Sequence, residues 1–245
     1  MLYIQGFEGD LVIPSTIKGN PVTKIANYAF YNCSNVESIT IPEGVTSIGG
    51  YAFSYCSMLK EINIPSSVKT IEKTAFSQTK ALISINVAEE NEYFASVDGV
   101  LFNKAKTNLI KYPTANTNTS YTVPEGVTVI MDDAFYYCEN LIEVNLPSSL
   151  TKIGNNAFYY CRRLKNVVIL ENVTEIGKLA FFYCSALKTV NLPAGIKSIG
   201  DSAFRSSPFL ANVYYCGTKN QAMNISIGAN NNQLIFANWI YNYSE

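Results

Sequence analysis

The chain is organised by one short pattern that recurs at an almost constant spacing. The dipeptide Ala-Phe occurs seven times, and five of the six gaps between occurrences are 23 residues long. The pairs begin at Ala29, Ala52, Ala75, Ala134, Ala157, Ala180 and Ala203. A fixed period of roughly 20 to 50 residues is typical of solenoids, in which each repeat buries its apolar side only against its neighbours. The chain is therefore expected to fold as a stack of similar coils.

Each repeat follows the consensus LxxIxIPxxVxxIGxxAFxxC, where x is any residue. The alternation of β-branched residues, as in Ile62 and Ile64, predicts a strand with one buried face. Proline follows, as in Pro65, because a residue without an N–H group cannot continue a central ladder. A second apolar pair, such as Val68 and Ile71, predicts a short extended second side of the coil. The Ala-Phe segment is predicted to form a short helical turn.

A 23-residue period with one strand per coil is that of a leucine-rich repeat. We therefore predict an α/β solenoid, a right-handed coil of 23-residue repeats with a parallel β-sheet and short helical turns. One domain is expected over residues 1–245. Its parts are an N-terminal cap and first turn (1–28), repeats (29–87), an aberrant repeat (88–121), further repeats (122–215) and a C-terminal cap (216–245). The C-terminal tail is expected to cover the last coil and its open strand edge.

One gap between Ala-Phe pairs, from Ala75 to Ala134, is 59 residues long. It contains Asp98-Gly99 between apolar residues, which is a strong signal for a two-residue hairpin turn. We predict one inserted β-hairpin that projects from the aberrant repeat. Its tip, Asp98 and Gly99, is a candidate binding element.

Composition argues against several classes of function. The chain has no histidine, which removes the usual general base near neutral pH and His-ligated metal sites. We therefore predict no enzymatic activity, no cofactor and no metal. The net charge is −1, which argues against a nucleic-acid partner. No apolar run reaches the roughly 18 residues of a membrane span, and no export signal is visible, so membrane insertion is not expected.

Five of the six cysteines occupy one repeat position just after Ala-Phe: Cys33, Cys56, Cys138, Cys161 and Cys184. Neighbours in register would lie at about the strand spacing, slightly too far apart for an unstrained disulfide. We therefore predict a ladder of small buried thiols. Cys216 lies off this ladder, where other repeats have proline, and is the cysteine expected to be exposed or to pair with another molecule.

The outward-facing strand positions form a candidate binding face. These residues are mostly short and uncharged: Asn63, Asn86, Thr122, Asn145, Asn191 and Tyr214, with Glu61 and Glu143 just before the buried pairs. Such a face could hold an extended peptide or a glycan through many small polar contacts. The alternative is an ordinary solvated sheet face, because none of these residues interrupts the repeat for a special role.

Tyrosines also recur just after Ala-Phe. Tyr137, Tyr160 and Tyr183 are a candidate exposed aromatic stripe, and aromatic side chains often anchor protein interfaces. The alternative is structural, with one ring of each adjacent aromatic pair packed under the next coil and the other half exposed.

The chain resembles the BspA-like leucine-rich-repeat proteins, a family of bacterial surface proteins. The resemblance rests on residues 41–53 (IPEGVTSIGGYAF) and their copies, on residues 96–104 of the insertion, and on residues 213–218 and 225–228 near the end. It implies a secreted or cell-surface role in adhesion to host proteins, matrix or other cells.

The predicted function is a non-enzymatic cell-surface binding or adhesion module that presents an extended solenoid surface to a protein or glycan. The alternative is a structural spacer or a self-assembling surface-layer component without a dedicated ligand. A hydrolase or lyase that uses carboxylates alone is a third hypothesis.

Overall fold

The computed structural model describes residues 8–244. The chain divides into two compact units. Unit 1 extends to Lys106 and includes Tyr112–Asn116, and unit 2 comprises Thr107–Lys111 and the residues from Thr117 onward. In both units short parallel strands recur at the 23-residue spacing.

Unit 1 contains two parallel ladders. Its strands are β1 (Gly9–Val12), β2 (Thr16–Ile17), β3 (Asn20–Pro21), β4 (Lys24–Ile25), β5 (Val36–Thr40), β6 (Ser47–Ile48), β7 (Glu61–Ile64), β8 (Thr70–Ile71), β9 (Ser84–Val87), β10 (Phe94–Val97) and β11 (Val100–Asn103). The main sheet has the order β1-β5-β7-β9, and β4-β6-β8 form the second side. Ile39 lies opposite Ile62, and Ile62 lies opposite Ile85. The predicted parallel sheet, with one strand per coil, is confirmed.

The predicted hairpin is also present. Strands β10 and β11 pair antiparallel, and Asp98 and Gly99 both have positive φ, as a type I′ turn requires. The hairpin lies against β9 rather than projecting: the N–H of Ile85 donates to the O of Gly99 at 2.9 Å, and that of Val87 donates to Ser96 Oγ at 3.1 Å. The cause is hydrophobic, because β11 presents three consecutive buried residues, Val100 to Phe102, to the core.

A second hairpin, β2–β3, lies near the start of unit 1. Its turn residues Lys18 and Gly19 also have positive φ. The hairpin lengthens the first coil, and the Lys-Gly pair was its sequence signal.

Unit 2 repeats the same two ladders. Its strands are β12 (Asn108–Lys111), β13 (Ser120–Thr122), β14 (Val129–Ile130), β15 (Glu143–Asn145), β16 (Lys152–Ile153), β17 (Asn166–Val168), β18 (Glu175–Ile176), β19 (Thr189–Leu192), β20 (Ser198–Ile199), β21 (Asn212–Tyr215), β22 (Ser226–Ile227) and β23 (Asn238–Tyr241), and its helices are α1 (Lys219–Ala222) and α2 (Asn232–Ile235). Strands β12-β14-β16-β18-β20-β22 form the second side. The C-terminal tail supplies β22, which pairs with β20, and β23, which pairs with β21. The prediction that the tail covers the last coil is confirmed.

The Ala-Phe segments fold as successive turns instead of the predicted helical turns. In most of these segments the residue before Ala and the second residue after Phe have positive φ, as at Tyr51 (+55°) and Tyr55 (+61°). A left-handed residue cannot continue an α-helix of L-residues. The N–H of Phe53 instead donates to the O of Ala75 in the next coil at 2.9 Å. Each coil therefore has a third hydrogen-bonded side, here called the turn side.

Ladders of identical residues fill the core. In unit 2 the rings of Phe135, Phe158, Phe181 and Phe204 stack with centroids 4.7 to 5.1 Å apart, and all four are buried. The alanine before each phenylalanine is buried as well. Stacking of this kind buries residues that a single coil would leave in water.

The thiols form the predicted buried ladder. All six cysteines, which lie within residues 8–244, are reduced thiols; Cys56, Cys138, Cys161 and Cys184 are buried, whereas Cys33 is half-buried and Cys216 is exposed. Cys161 Sγ donates to the O of Phe135 in the preceding coil at 3.1 Å. Burial raises the pKa of Cys138 to about 12, so the thiol stays protonated and works as a small hydrogen-bond donor.

Candidate functional site

The sheet face of unit 2 is divided between β15 and β17. Strands β13 and β15 form a two-stranded sheet, and β17-β19-β21-β23 form a separate four-stranded sheet. A groove of about 640 Å³ follows this division. It is lined by Ile142, Glu143, Val144, Asn145, Leu146, Lys165, Asn166, Val168 and Leu170. We call this the sheet groove.

The repeat on one side of the sheet groove departs from the consensus at two positions. Val168 replaces the usual Asn or Thr at the outward strand position and is 37% exposed. Leu170 stands where the neighbouring repeats have Pro147 and Pro193. Both departures are visible in the sequence, and the missing proline is the clearer of the two.

The sheet groove combines apolar and polar groups. Val168 and Leu170 supply apolar surface, and the amide of Asn145 donates to Thr122 Oγ1 at 3.3 Å. Asn166 Oδ1 accepts from Thr189 Oγ1 at 2.7 Å. An amide has two donor hydrogens and an acceptor oxygen, so each of these bonds uses only part of its capacity. Such a surface suits a ligand that carries both apolar and hydrogen-bonding groups.

The sheet groove also carries charges of both signs. Glu143 and Lys165 belong to successive coils and line the same depression. The N–H of Lys165 donates to the O of Ile142 at 3.0 Å, which keeps the two coils in contact where the groove begins. Because β15 and β17 belong to different sheets, their facing backbone edges border the groove.

Most residues of the predicted binding face are exposed to solvent. Glu61, Asn63 and Asn86 are exposed in unit 1, and Asn86 Nδ2 donates to Asn63 Oδ1 at 3.1 Å. In unit 2 Thr122, Glu143 and Asn145 are exposed, and two of these line or border the sheet groove.

Two residues of the predicted face are not open. Asn191 is only 9% exposed, and Tyr214, opposite it in the next strand, is half-buried. The ring of Tyr214 lies 4.8 Å from that of Tyr243 in the C-terminal tail. Asn191 is therefore no longer a candidate contact residue, because the end of the chain changes the surroundings of the last strands.

The predicted aromatic stripe forms one continuous stack. Tyr137, Tyr160 and Tyr183 have successive ring centroids 4.6 and 4.4 Å apart. A second stack, made of Tyr136, Tyr159 and Phe182, runs beside it at 4.8 and 4.9 Å. No ring of either stack is fully buried, so both are partly open along the turn side.

Unit 1 has an aromatic cluster of its own. Tyr28, Tyr31, Tyr51 and Tyr55 are each at least 37% exposed, and the rings of Tyr28 and Tyr51 stack at 5.1 Å. The cluster was not among the predicted sites, although the 23-residue spacing of Tyr28 and Tyr51 was visible in the sequence.

A buried lysine, Lys111, lies at the end of the first strand of unit 2. Lys111 lies 23 residues before Ala134 and so takes the buried alanine position of its coil. Its Nζ donates to the O of Asp133 at 3.1 Å, and burial lowers the pKa of the amine. The contact ties two coils together and has a structural role.

The described part of the chain holds neither a metal-binding cluster nor a membrane-spanning helix. Across residues 8–244 no cluster of three or more cysteine or carboxylate side chains could hold a metal ion. Within the same range, no helix has the length and apolar character needed to cross a membrane.

These features define leucine-rich repeat units with parallel strands on a 23-residue period. The sequence model of the BspA type leucine rich repeat region matches the chain in six copies, over residues 7–119 and 111–232. The chain therefore belongs to the BspA-type leucine-rich repeat family.

Solved structures share this fold. A leucine-rich repeat protein from Bacteroides ovatus is 28% identical with a TM-score of 0.62, over 95% of this chain and 63% of that one. One from Eubacterium ventriosum is 22% identical with a TM-score of 0.61, over 96% and 83%. A leucine rich cell surface protein from Faecalibacterium prausnitzii is 22% identical with a TM-score of 0.54, over 91% and 92%. No curated protein sequence matches the chain.

Proposed function

We propose that this chain is a non-enzymatic binding module of a secreted or cell-surface protein, and that its sheet groove holds an extended segment of a protein or a glycan. The observation that carries the proposal is the division of the sheet between β15 and β17. Here two apolar residues, Val168 and Leu170, line a depression of about 640 Å³. That volume lies within the range of roughly 300 to 1,000 Å³ typical of ligand sites.

An extended ligand fits the shape and chemistry of the sheet groove. Its apolar groups would cover Val168 and Leu170, and its polar groups would pair with Asn145 and Asn166. Many weak contacts of this kind add along a rigid repeat surface, and display of several copies on one cell would raise the apparent affinity.

Binding screens against matrix proteins and glycan arrays would test the proposal with a matched pair of variants. Val168→Lys places a charged chain in the sheet groove and is expected to weaken binding at least about tenfold. Asn63→Lys introduces the same charged side chain at the equivalent position of unit 1. If both variants lose affinity equally, or if neither loses affinity, the sheet groove is not the binding site.

The alternative is a spacer or a self-assembling layer component without a ligand. It predicts no saturable binding to any partner and a sedimentation coefficient that rises with protein concentration. Val168→Lys would then leave all measured properties of the folded protein unchanged.

Surface localisation is supported by the family, whose members are often associated with the cell surface. Protease treatment of intact cells would test it. Loss of the protein from intact cells, with a cytosolic marker preserved, is the expected result, whereas protection until lysis would contradict it.

A further inference from the structure

All three arginines of this chain lie within three successive coils of unit 2. They are Arg162, Arg163 and Arg205, while every other cationic side chain is lysine. Arg162 and Arg163 directly follow Cys161, just after the paired tyrosines of that coil. Arg205 lies 23 residues after Phe182 and so takes the next position of the second aromatic stack. The arginines therefore gather on the turn side, where the aromatic rings are.

The guanidinium of Arg162 contacts the aromatic stack directly. Its central carbon lies 4.9 Å from the ring centroid of Tyr160 and 5.6 Å from that of Tyr183. Arg162 also faces Glu139 at 3.6 Å, but both side chains are 48% exposed. An exposed ion pair of this kind contributes little and exchanges readily with other anions. The rings therefore hold the guanidinium in place while its donors stay accessible.

Open ring surface lies beside these cations. Tyr183 is 38% exposed, and it is the last ring of its stack because Ser206 occupies the next position. Phe209 is 66% exposed in the following coil. Arg163 and Arg205 are exposed as well. Cationic donors and uncovered aromatic rings thus alternate over adjacent coils.

Backbone groups on the turn side already form hydrogen bonds between coils. The N–H of Tyr160 donates to the O of Phe182 at 2.8 Å, and that of Tyr183 donates to the O of Arg205 at 2.9 Å. An extended peptide would find no free strand edge to join here. A glycan needs only side-chain donors and flat apolar surface, because its C–H faces stack on aromatic rings and its anionic groups pair with guanidinium.

We propose that Arg162, Arg163, Arg205, Tyr160 and Tyr183, here called the arginine–tyrosine patch, bind an anionic glycan that carries sulfate or carboxylate groups. The planar guanidinium pairs with such groups through two parallel hydrogen bonds. Nucleic acid fits less well, because a chain with net charge −1 and three clustered arginines neutralises few phosphates. The patch lies on the turn side and is independent of the sheet groove.

The test uses a heparin-derived octasaccharide, the same octasaccharide after desulfation, and a poly-glutamate peptide of similar charge, each titrated into the whole chain by calorimetry. We expect the sulfated octasaccharide to bind and the binding to weaken as salt rises. Arg162→Gln and Arg205→Gln should each weaken binding about tenfold, through loss of a charge-assisted pair. Lys152→Gln removes one cation from the second side of unit 2, where that lysine is 46% exposed, and should change binding less than twofold.

The rings are tested separately. Tyr183→Phe keeps the stacking surface and should bind as the wild type does, whereas Tyr183→Ala should weaken binding about tenfold. Thermal unfolding of each variant shows whether the fold is retained. Absence of binding to the sulfated octasaccharide, an equal effect of Lys152→Gln and Arg162→Gln, or tighter binding of poly-glutamate than of the glycan would each overturn the proposal.

Discussion

At the scale of the residue, each buried thiol joins two coils through a bond that serine can also make. Cys161 Sγ donates to the O of Phe135 at 3.1 Å, and Ser207 Oγ makes the same bond to Phe181 at 3.2 Å. Cys161→Ala removes one of the two donors to this buried carbonyl, the other being the N–H of Cys138 at 3.2 Å, and leaves a small cavity, so it is expected to destabilise the fold by about 1–3 kcal/mol. Cys161→Ser should cost about 1 kcal/mol less, because the bond survives. Urea unfolding measures both, and an equal or larger loss for serine would refute this role.

The same thiols make stability depend on pH in the alkaline range. Burial raises the pKa of Cys56 from 9.0 to about 12. Below pH 9 the thiol is protonated in both states, so its contribution to the free energy of unfolding is complete. Between pH 9 and 12 only the unfolded state ionises, and stability falls by up to about 1.4 kcal/mol per pH unit for this group. Urea midpoints from pH 8 to 11 should fall less steeply in Cys56→Ser, and identical slopes would contradict the assignment.

Exposure of single residues was predictable only where their surroundings repeat. Asn145 and Asn191 occupy the same position in their repeats, yet Asn145 is exposed and Asn191 is buried. Asn191 lies opposite Tyr214, whose ring is 4.8 Å from that of Tyr243 in the irregular C-terminal tail. The period predicted which residues point outward, but it carries no information about what lies over them.

At the scale of the element, the β10–β11 hairpin depends on a glycine for two separate reasons. Gly99 has φ +77°, and a Cβ built on it would lie 2.6 Å from Ser84 Oγ. Gly126 has φ +91° with no atom within 4 Å of such a Cβ. Gly126→Ala therefore reports left-handed strain alone, about 1–2 kcal/mol, and Gly99→Ala should cost clearly more. Denaturant unfolding measures the free energy of unfolding of both variants. Equal losses of stability would show that close packing of the hairpin against β9 adds no cost at Gly99.

Strands were easier to predict than turns for a physical reason. Alternation at Ile62 and Ile64 is local and reports one buried face, and Asp98-Gly99 is a local turn signal. The turn side follows from bonds between coils, such as that from Phe53 to Ala75, which no local pattern displays. The division between β15 and β17 had only a weak signal, the proline missing at Leu170.

At the scale of the whole molecule, a repeat array is held together by contacts between nearest neighbours, so its terminal coil needs a specific anchor. Asn231 is fully buried in the C-terminal cap of unit 2. Its Oδ1 accepts from the N–H of Phe204 at 3.0 Å. Its Nδ2 donates to the O atoms of Gly200 and Gly228, both at 2.9 Å. One side chain therefore binds three backbone groups, two of which, on Phe204 and Gly200, belong to the last coil.

Loss of this anchor should act locally. Asn231→Ala removes all three bonds and leaves the N–H of Phe204 without the acceptor on Asn231, and it is expected to cost about 2–4 kcal/mol. Because coupling runs only between neighbours, hydrogen exchange should accelerate in β20 to β23 and stay unchanged in β14 and β16. Asn224→Ala is the matched control, since Asn224 is exposed and its amide donates only within the cap, to Asn220 at 3.3 Å. Acceleration spread evenly over unit 2 would instead show that its coils unfold as one cooperative block.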